Sequence, residues 1–180
     1  METSVHTKWA LDASHSEISF KVKHLMIANV KGRFKQFDLT VVTNGNDFTD
    51  AQIDFSMNTA SVDTGDVNRD GHLRSADFFD AENFPVATFK SSSLKPVDDE
   101  NYALTGDLTI RGVSKTVTLE AEFGGVQVDP WGNTKAGFTL TGKINRKEFG
   151  LLWNAALESG GVLVGEDVKI LCEVELAKQA

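Results

Sequence analysis

The chain has 180 residues, the length of one domain, with 41% hydrophobic and 24% charged residues, values of a globular protein that can bury a core. Its 18 Lys and Arg against 26 Asp and Glu leave a net charge of −8, which repels phosphate backbones and disfavours a nucleic-acid partner. Cys172 is the only cysteine, so an internal disulfide and a cysteine-rich zinc module are both excluded.

Phe is used 12 times against 1 Tyr and 3 Trp, and a residue without a polar handle supplies dry interior surface. No run approaches 18 apolar residues, so stable membrane insertion is not expected. The segment Met1 to Lys8 lacks the basic start and apolar run of a secretory signal, which points to a cytoplasmic protein.

The hydrophobic period is two almost throughout. Ile18, Phe20, Val22 and His24 alternate with Ser19, Lys21 and Lys23, the pattern of a half-buried strand. Val30, Gly32 and Phe34 have one parity and Phe37, Leu39 and Val41 the other, which calls for a bulge or kink between Phe34 and Phe37. Ala51, Ile53, Phe55 and Met57 follow, then a short strand with Ala87 and Phe89. Further sets are Tyr102, Leu104, Gly106, Leu108 and Ile110; Val117, Leu119, Ala121 and Phe123; and Phe138, Leu140, Gly142 and Ile144. Val168, Ile170, Cys172, Val174 and Leu176 close the series, which counts to about eight strands.

Short turn signals such as Asn44-Gly45-Asn46 and Arg111-Gly112 join the strands, so successive strands pair antiparallel. Residues 59–84 and 145–166 interrupt the pattern as long loops, with short helices expected there. The reading is all-β: one domain over residues 1–180, an eight-stranded antiparallel barrel. Alternation is the same for a filled barrel and a hollow one. The apolar side chains of the long loops tilt the choice toward an enclosed ligand, because without a cavity to cap they would be stranded on the surface.

Inward Phe20, Val22, Phe34, Ile53, Phe55, Met57, Phe89, Leu108, Ile110, Phe138 and Leu140 would line such a tunnel, with His24 at the end of its strand. Leu73, Phe78, Phe79 and Trp153 would cap it. Arg69, if it points into the mouth, could meet an anionic headgroup, and Arg146 by the other long loop offers a second cation.

The remaining chemistry candidates have plainer readings. Asp12, His15 and Ser16 contain the groups of a catalytic triad, but residues so close along an extended segment fix a turn more readily than they converge. His15, His24 and His72 lack metal-ligand spacing, and no metal or other cofactor is expected. Asp63, Asp66 and Asp70 lack the glutamate that closes a calcium loop, so ion pairing with Arg69 or Arg74 and helix capping are the expected uses. Phosphate-binding glycine loops are absent.

A series of short stretches in one order then resembles the YceI-like family, described as polyisoprenoid-binding or lipid-binding. They include Trp9-Ala10-Leu11-Asp12, Phe20-Lys21-Val22-Lys23-His24-Leu25 and Val30-Lys31-Gly32-Arg33-Phe34. Ser61-Val62-Asp63-Thr64-Gly65, Arg69-Asp70-Gly71-His72-Leu73-Arg74-Ser75-Ala76-Asp77-Phe78-Phe79 and Phe84-Pro85 continue the series. Gly106-Asp107-Leu108-Thr109-Ile110-Arg111-Gly112-Val113 and Asn145-Arg146 with Phe149-Gly150 complete it.

The resemblance implies a lipocalin-like barrel, a long apolar chain of isoprenoid or fatty-amide type threaded through it, and a homodimer. It implies binding, storage or transport without catalysis. Two other functions compete: a lipid-modifying enzyme with His15, His24 or His72 as acid or base, and a stress-related structural or interaction module.

Overall fold

The computed structural model describes residues 6–180. Within them a single antiparallel sheet closes on itself. The first part of the chain forms β1 (His6–Leu11), β2 (Glu17–His24), β3 (Ala28–Phe34), β4 (Phe37–Asn44), β5 (Asp47–Asn58) and β6 (Val62–Asp63). The second part forms β7 (Val86–Pro96), β8 (Asn101–Ile110), β9 (Val113–Val128), β10 (Thr134–Asn145) and β11 (Val164–Lys178).

These strands make eight staves. β1 and β2 lie end to end along β11: Trp9 to Leu11 pair with its far end, and Glu17 to His24 with the rest. The 3₁₀ turn Ala13–His15 separates them. β3 and β4 form a second broken stave, and β5 and β6 a third, because β4 pairs with β1 and β5 while β3 pairs with β2 and β6. β7 to β11 supply the other five, and the β1–β11 pairing closes the ring. Closure removes the exposed edges that an open sheet of this size would carry.

The kink expected between Phe34 and Phe37 is a bend at Lys35 and Gln36. There the Lys35 amide donates to Ser61 and the Gln36 carbonyl accepts from Asn58. Phe34 is buried and Phe37 packs against the core, although they are three apart. The bend absorbs the odd residue. β1 was not expected as a strand: its inward positions are Thr7, Trp9 and Leu11, and the threonine blurs the alternation.

Among the described residues β6 and β7 do not pair. Residues 64–85 cover that side of one barrel end and carry the helix α1 (Val67–Arg74). Asp66 caps it, its carboxylate accepting from the Asn68 and Arg69 amides at 2.9 and 3.0 Å. Asp70 departs from the ion pairing expected of it. Its buried carboxylate accepts the Thr64 amide at 2.8 Å and the Thr64 hydroxyl at 2.6 Å, tying the helix back to the β6 segment.

The opposite end is plugged by aromatic rings. Phe48 stands 5.2 Å from Trp9, 5.3 Å from Phe123 and 5.0 Å from Phe138, centroid to centroid, and Phe123 stacks on Phe138 at 4.9 Å. One end of the barrel is therefore solid. The rest is not.

Candidate functional site

Inward side chains of the staves enclose a cavity of about 370 Å³. Sites for small ligands occupy roughly 300–1,000 Å³. Its wall is almost wholly apolar, because each strand turns alternate residues inward and those residues are Phe, Leu, Ile and Val.

The residues expected to line a tunnel do surround this space. Phe20 and Val22 reach it from β2, Phe34 from β3, and Ile53, Phe55 and Met57 from β5. Phe89 comes from β7, Leu108 and Ile110 from β8, and Phe138 and Leu140 from β10. Room is made locally by glycine. Gly32 faces Phe20 across the β2–β3 pair, and a β-carbon there would collide with the ring.

The two long loops cap the mouth. Leu73 from α1, then Phe78 and Phe79, border the cavity on one side and Trp153 on the other. The imidazole of His72 sits between the loops, edge-on to Trp153 at 4.5 Å and to Phe78 at 5.0 Å. Its Nε2 is 2.8 Å from an Asp77 carboxylate oxygen. This histidine is a bridge of the lid.

His24 borders the cavity but is solvent-exposed at the end of β2. His15 lies outside it, in the turn between β1 and β2, so the three histidines form no common centre. His15 Nδ1 stands 2.9 Å from Asp12 and 3.1 Å from Glu175. The carboxylate of Asp12 holds His15 above its usual pKa, while the ammonium of Lys135, 2.8 Å away, and His15 hold Asp12 well below the usual carboxylate range. Among the described residues Asp12, His15 and Glu175 are the acidic and imidazole groups close enough to share a cation, and Lys135 already supplies one. Ser16 completes no triad: its hydroxyl donates to the Asp12 carbonyl at 2.7 Å.

Both candidate headgroup cations border the cavity, and both already donate hydrogen bonds within the protein. Arg69 donates to the Thr64 hydroxyl at 2.7 Å and the Thr64 carbonyl at 2.8 Å. Arg146 is buried and donates to the carbonyls of Leu151, Gly165 and Val164 at 2.6, 2.7 and 3.3 Å. Burial draws its pKa down, and its guanidinium lies 5.9 Å from the Phe78 ring centre. Arg146 thus ties the loop after β10 to the start of β11.

Beyond the residues expected from the sequence, Phe48 and the β11 residues Ile170, Cys172 and Val174 also border the cavity. Periodicity already set the β11 residues on one face. Phe48 is three residues before Ala51, and the left-handed backbone of Asp50 (φ 55°) shifts the parity between them.

A family model described as the YceI-like domain matches residues 9–176. A UPF0312 protein of Staphylococcus aureus (strain bovine RF122 / ET3-1) is 40% identical over 172 residues, 95% of this chain and 98% of that protein. The crystal structure of a Campylobacter jejuni YCEI protein is similar, with 35% identity, 100% of both chains covered and a TM-score of 0.75. Burkholderia cenocepacia BcnA has a TM-score of 0.78 at 25% identity, covering 92% of this chain and 98% of its own. A polyisoprenoid binding domain from Saccharophagus degradans shares the fold, with a TM-score of 0.71 at 15% identity over 95% of this chain and 98% of that one.

Proposed function

The chain belongs to the YceI-like family, and from that premise we propose that it holds a long-chain isoprenoid or similarly apolar lipid inside the barrel, for storage or transport and without chemical conversion. The observation that carries this reading is the cavity of about 370 Å³ behind a lid of Leu73, Phe78, Phe79 and Trp153. A hydrocarbon suits such walls, and a polar ligand would lose its hydration there without replacement. The fold shared with a polyisoprenoid binding domain supports the same ligand class.

Affinity would come from removing the chain from water, about 0.8 kcal/mol per buried methylene. A dozen carbons contribute about 10 kcal/mol and roughly twenty about 16 kcal/mol, against association costs of about 4–15 kcal/mol. Binding is favoured over catalysis because the cavity wall is almost wholly apolar.

Organic extraction of protein purified from its expression host, followed by mass spectrometry, should release one lipid per barrel. Phe55→Asp should abolish that occupancy while the strand signature in circular dichroism remains. Empty extracts together with no uptake of added prenyl lipids would refute the reading.

A further inference from the structure

The β2–β3 hairpin turns beside the mouth on three apolar residues, Leu25, Met26 and Ile27, which are 37, 56 and 81% exposed. Leu25 and Met26 take a left-handed backbone, φ 55° and 64°, a conformation that glycine and asparagine adopt more readily. Turn chemistry therefore favours small polar residues at this tip. The core does not account for the apolar ones either, since none of the three borders the cavity or packs against the buried cluster. The Leu25 amide donates at 2.9 Å to the carbonyl of Leu163, a cavity-lining residue, so the tip is fastened to the rim. Leu152, on the same lid loop as Leu163, is exposed as well.

A basic band lies just below the tip. Lys143 is opposite Lys169, Lys169 opposite Lys21, and Lys21 opposite Lys31, and the inward parity of Ile144, Ile170, Phe20 and Val30 turns all four outward. Lys23 stands nearer the tip, opposite Asn29. Like charges directly opposite destabilise a sheet, so the barrel alone does not explain the row. Asp167 lies 3.7 Å from Lys143, and Glu166 pairs with Lys147 at 2.9 Å. Glu148 and Glu158 are the other acids of residues 145–166. Among the described residues Lys21, Lys23, Lys31 and Lys169 have no carboxylate within ion-pair distance.

From the apolar tip and the lysines beneath it we propose that the β2–β3 hairpin is a docking surface for an anionic bilayer. Leu25, Met26 and Ile27 enter the boundary between headgroups and acyl chains, and the lysines meet the lipid phosphates. The spacing fits. A headgroup layer is roughly 5–7 Å deep, and Lys23 is two residues from Leu25, about 7 Å of strand. Lys21 is four residues from Leu25 and Lys31 four from Ile27, about 13 Å along tilted strands, and the long lysine stems extend the reach. Each lysine near such a surface gives roughly a fivefold gain in affinity.

Charge selects this end of the barrel over the other. Val97, Val128 and Trp131 are exposed at the plugged end, but Asp98, Asp99, Glu100 and Asp129 share their turns. On the basic wall itself, Glu17 and Glu173 lie four residues farther from the tip than Lys21 and Lys169, about 13 Å, beyond a screening length of roughly 8 Å. Arg33, between the two bands, has Asp63 at 3.8 Å. Across the mouth, Asp66, Asp77, Asp80 and Glu82 repel the same surface, so the barrel meets the bilayer by its β2–β3 side and not squarely by its lid. With a net charge of −8, that orientation decides whether the chain is attracted at all. The inference builds on the lipid reading, because a docked mouth lets a hydrocarbon pass between bilayer and barrel without crossing water.

Flotation of the full chain with vesicles should show binding to a 1:1 mixture of phosphatidylglycerol and phosphatidylcholine and none to phosphatidylcholine alone. Molar salt, where screening shortens to about 3 Å, should release it. Met26→Asp with Ile27→Asp should weaken binding roughly tenfold or more, and so should Lys31→Glu with Lys169→Glu. Ile27→Trp should tighten it, a gain that a damaged fold cannot give, since an indole favours the interface. Trp131→Asp at the plugged end should bind as wild type does. Lipid content, read by extraction, should be unchanged in each variant. A wild type that ignores anionic vesicles, binding indifferent to the tip or to the lysine pair, or an equal loss with Trp131→Asp would overturn the proposal. Extracted lipid without vesicle binding defeats the docking alone, and empty extracts from a chain that still docks defeat the lipid reading alone.

Discussion

The indole Nε1 of Trp9 donates to the hydroxyl of Thr43 at 2.8 Å, joining β1 to β4 inside the plugged end of the barrel. Both residues are buried, and the Thr43 hydroxyl donates onward to the Gly45 carbonyl at 2.6 Å. One relay therefore fixes the closing strand and the β4–β5 hairpin together. Thr43→Val leaves the indole N–H buried without an acceptor and should destabilise the fold by about 1–3 kcal/mol in urea denaturation. Trp9→Phe removes the donor and some packing. The double variant should be less destabilised than the sum of the two, since the relay is lost only once. Additive effects would mean that the bond contributes nothing.

Gly106 on β8 is a point of close backbone approach. A β-carbon there would run into the Lys90 carbonyl of β7 and the Phe89 ring, and backbone cannot swing aside as a side-chain tip can. Gly106→Ala should lower stability by about 2 kcal/mol or more, with the loss seen as earlier thermal unfolding. Gly137→Ala is the control: a β-carbon at Gly137 meets nothing within 4 Å, so its effect should be small.

Much of this architecture is legible along the chain because strand periodicity is a local signal. Ile53, Phe55 and Met57 announce both their strand and their inward face, and the parity change between Phe34 and Phe37 announces the bend. What stays hidden depends on geometry across the chain. Phe48 joins the core only because Asp50 takes a left-handed backbone, and β1 is masked by the inward threonine at position 7. Arg146 reads as a free cation until the path of residues 151–165 brings three carbonyls to it. The four outward lysines Lys21, Lys31, Lys143 and Lys169 likewise become neighbours only through register, which no single strand shows.

Arg146 yields a prediction that separates positioning from ligand binding. Lysine keeps the charge but lacks the planar fork that serves three carbonyls at once. Arg146→Lys should loosen residues 151–165, seen as faster amide hydrogen exchange there, with exchange in β8 and β9 unchanged. If the residue instead served chiefly as a headgroup cation, exchange of the lipid-free protein would not change.

The Asp12 cluster sets a pH dependence with two edges. Lys135 first and His15 second hold the Asp12 pKa below 3.8, so its contribution to stability is present above that value and is lost as pH falls through the folded pKa. Asp12 raises the His15 pKa above 6.5, so that contribution is present below 6.5 and is lost as pH rises through the folded pKa. The Tm difference between wild type and Asp12→Asn should peak between about pH 4 and 6.5. It should shrink in acid and only partly in mild alkali, where Lys135 stays charged. A difference that is flat with pH would show that the cluster acts through packing alone.

Cys172 reports on the cavity directly. It lies on β11 against the enclosed space, and burial pushes its thiol pKa up to about 12 from 9.0. At pH 8 the folded protein then holds roughly a thousandth of the thiolate that the unfolded chain does, since each pKa unit is a factor of about ten. Iodoacetamide should label Cys172 rapidly in urea and hardly at all in the native state, as read by intact mass. Because the folded pKa is raised, stability should also decline as pH rises from about 9 toward 12, where only the unfolded chain loses the proton. Cys172→Ser should reduce that alkaline decline, since a serine hydroxyl does not titrate in the range, and the remainder belongs to groups such as Lys135, whose pKa Asp12 raises above 10.5. Fast native labelling at pH 8 would mean that water and reagent enter the barrel freely, and a barrel open to water could not keep a hydrocarbon dry.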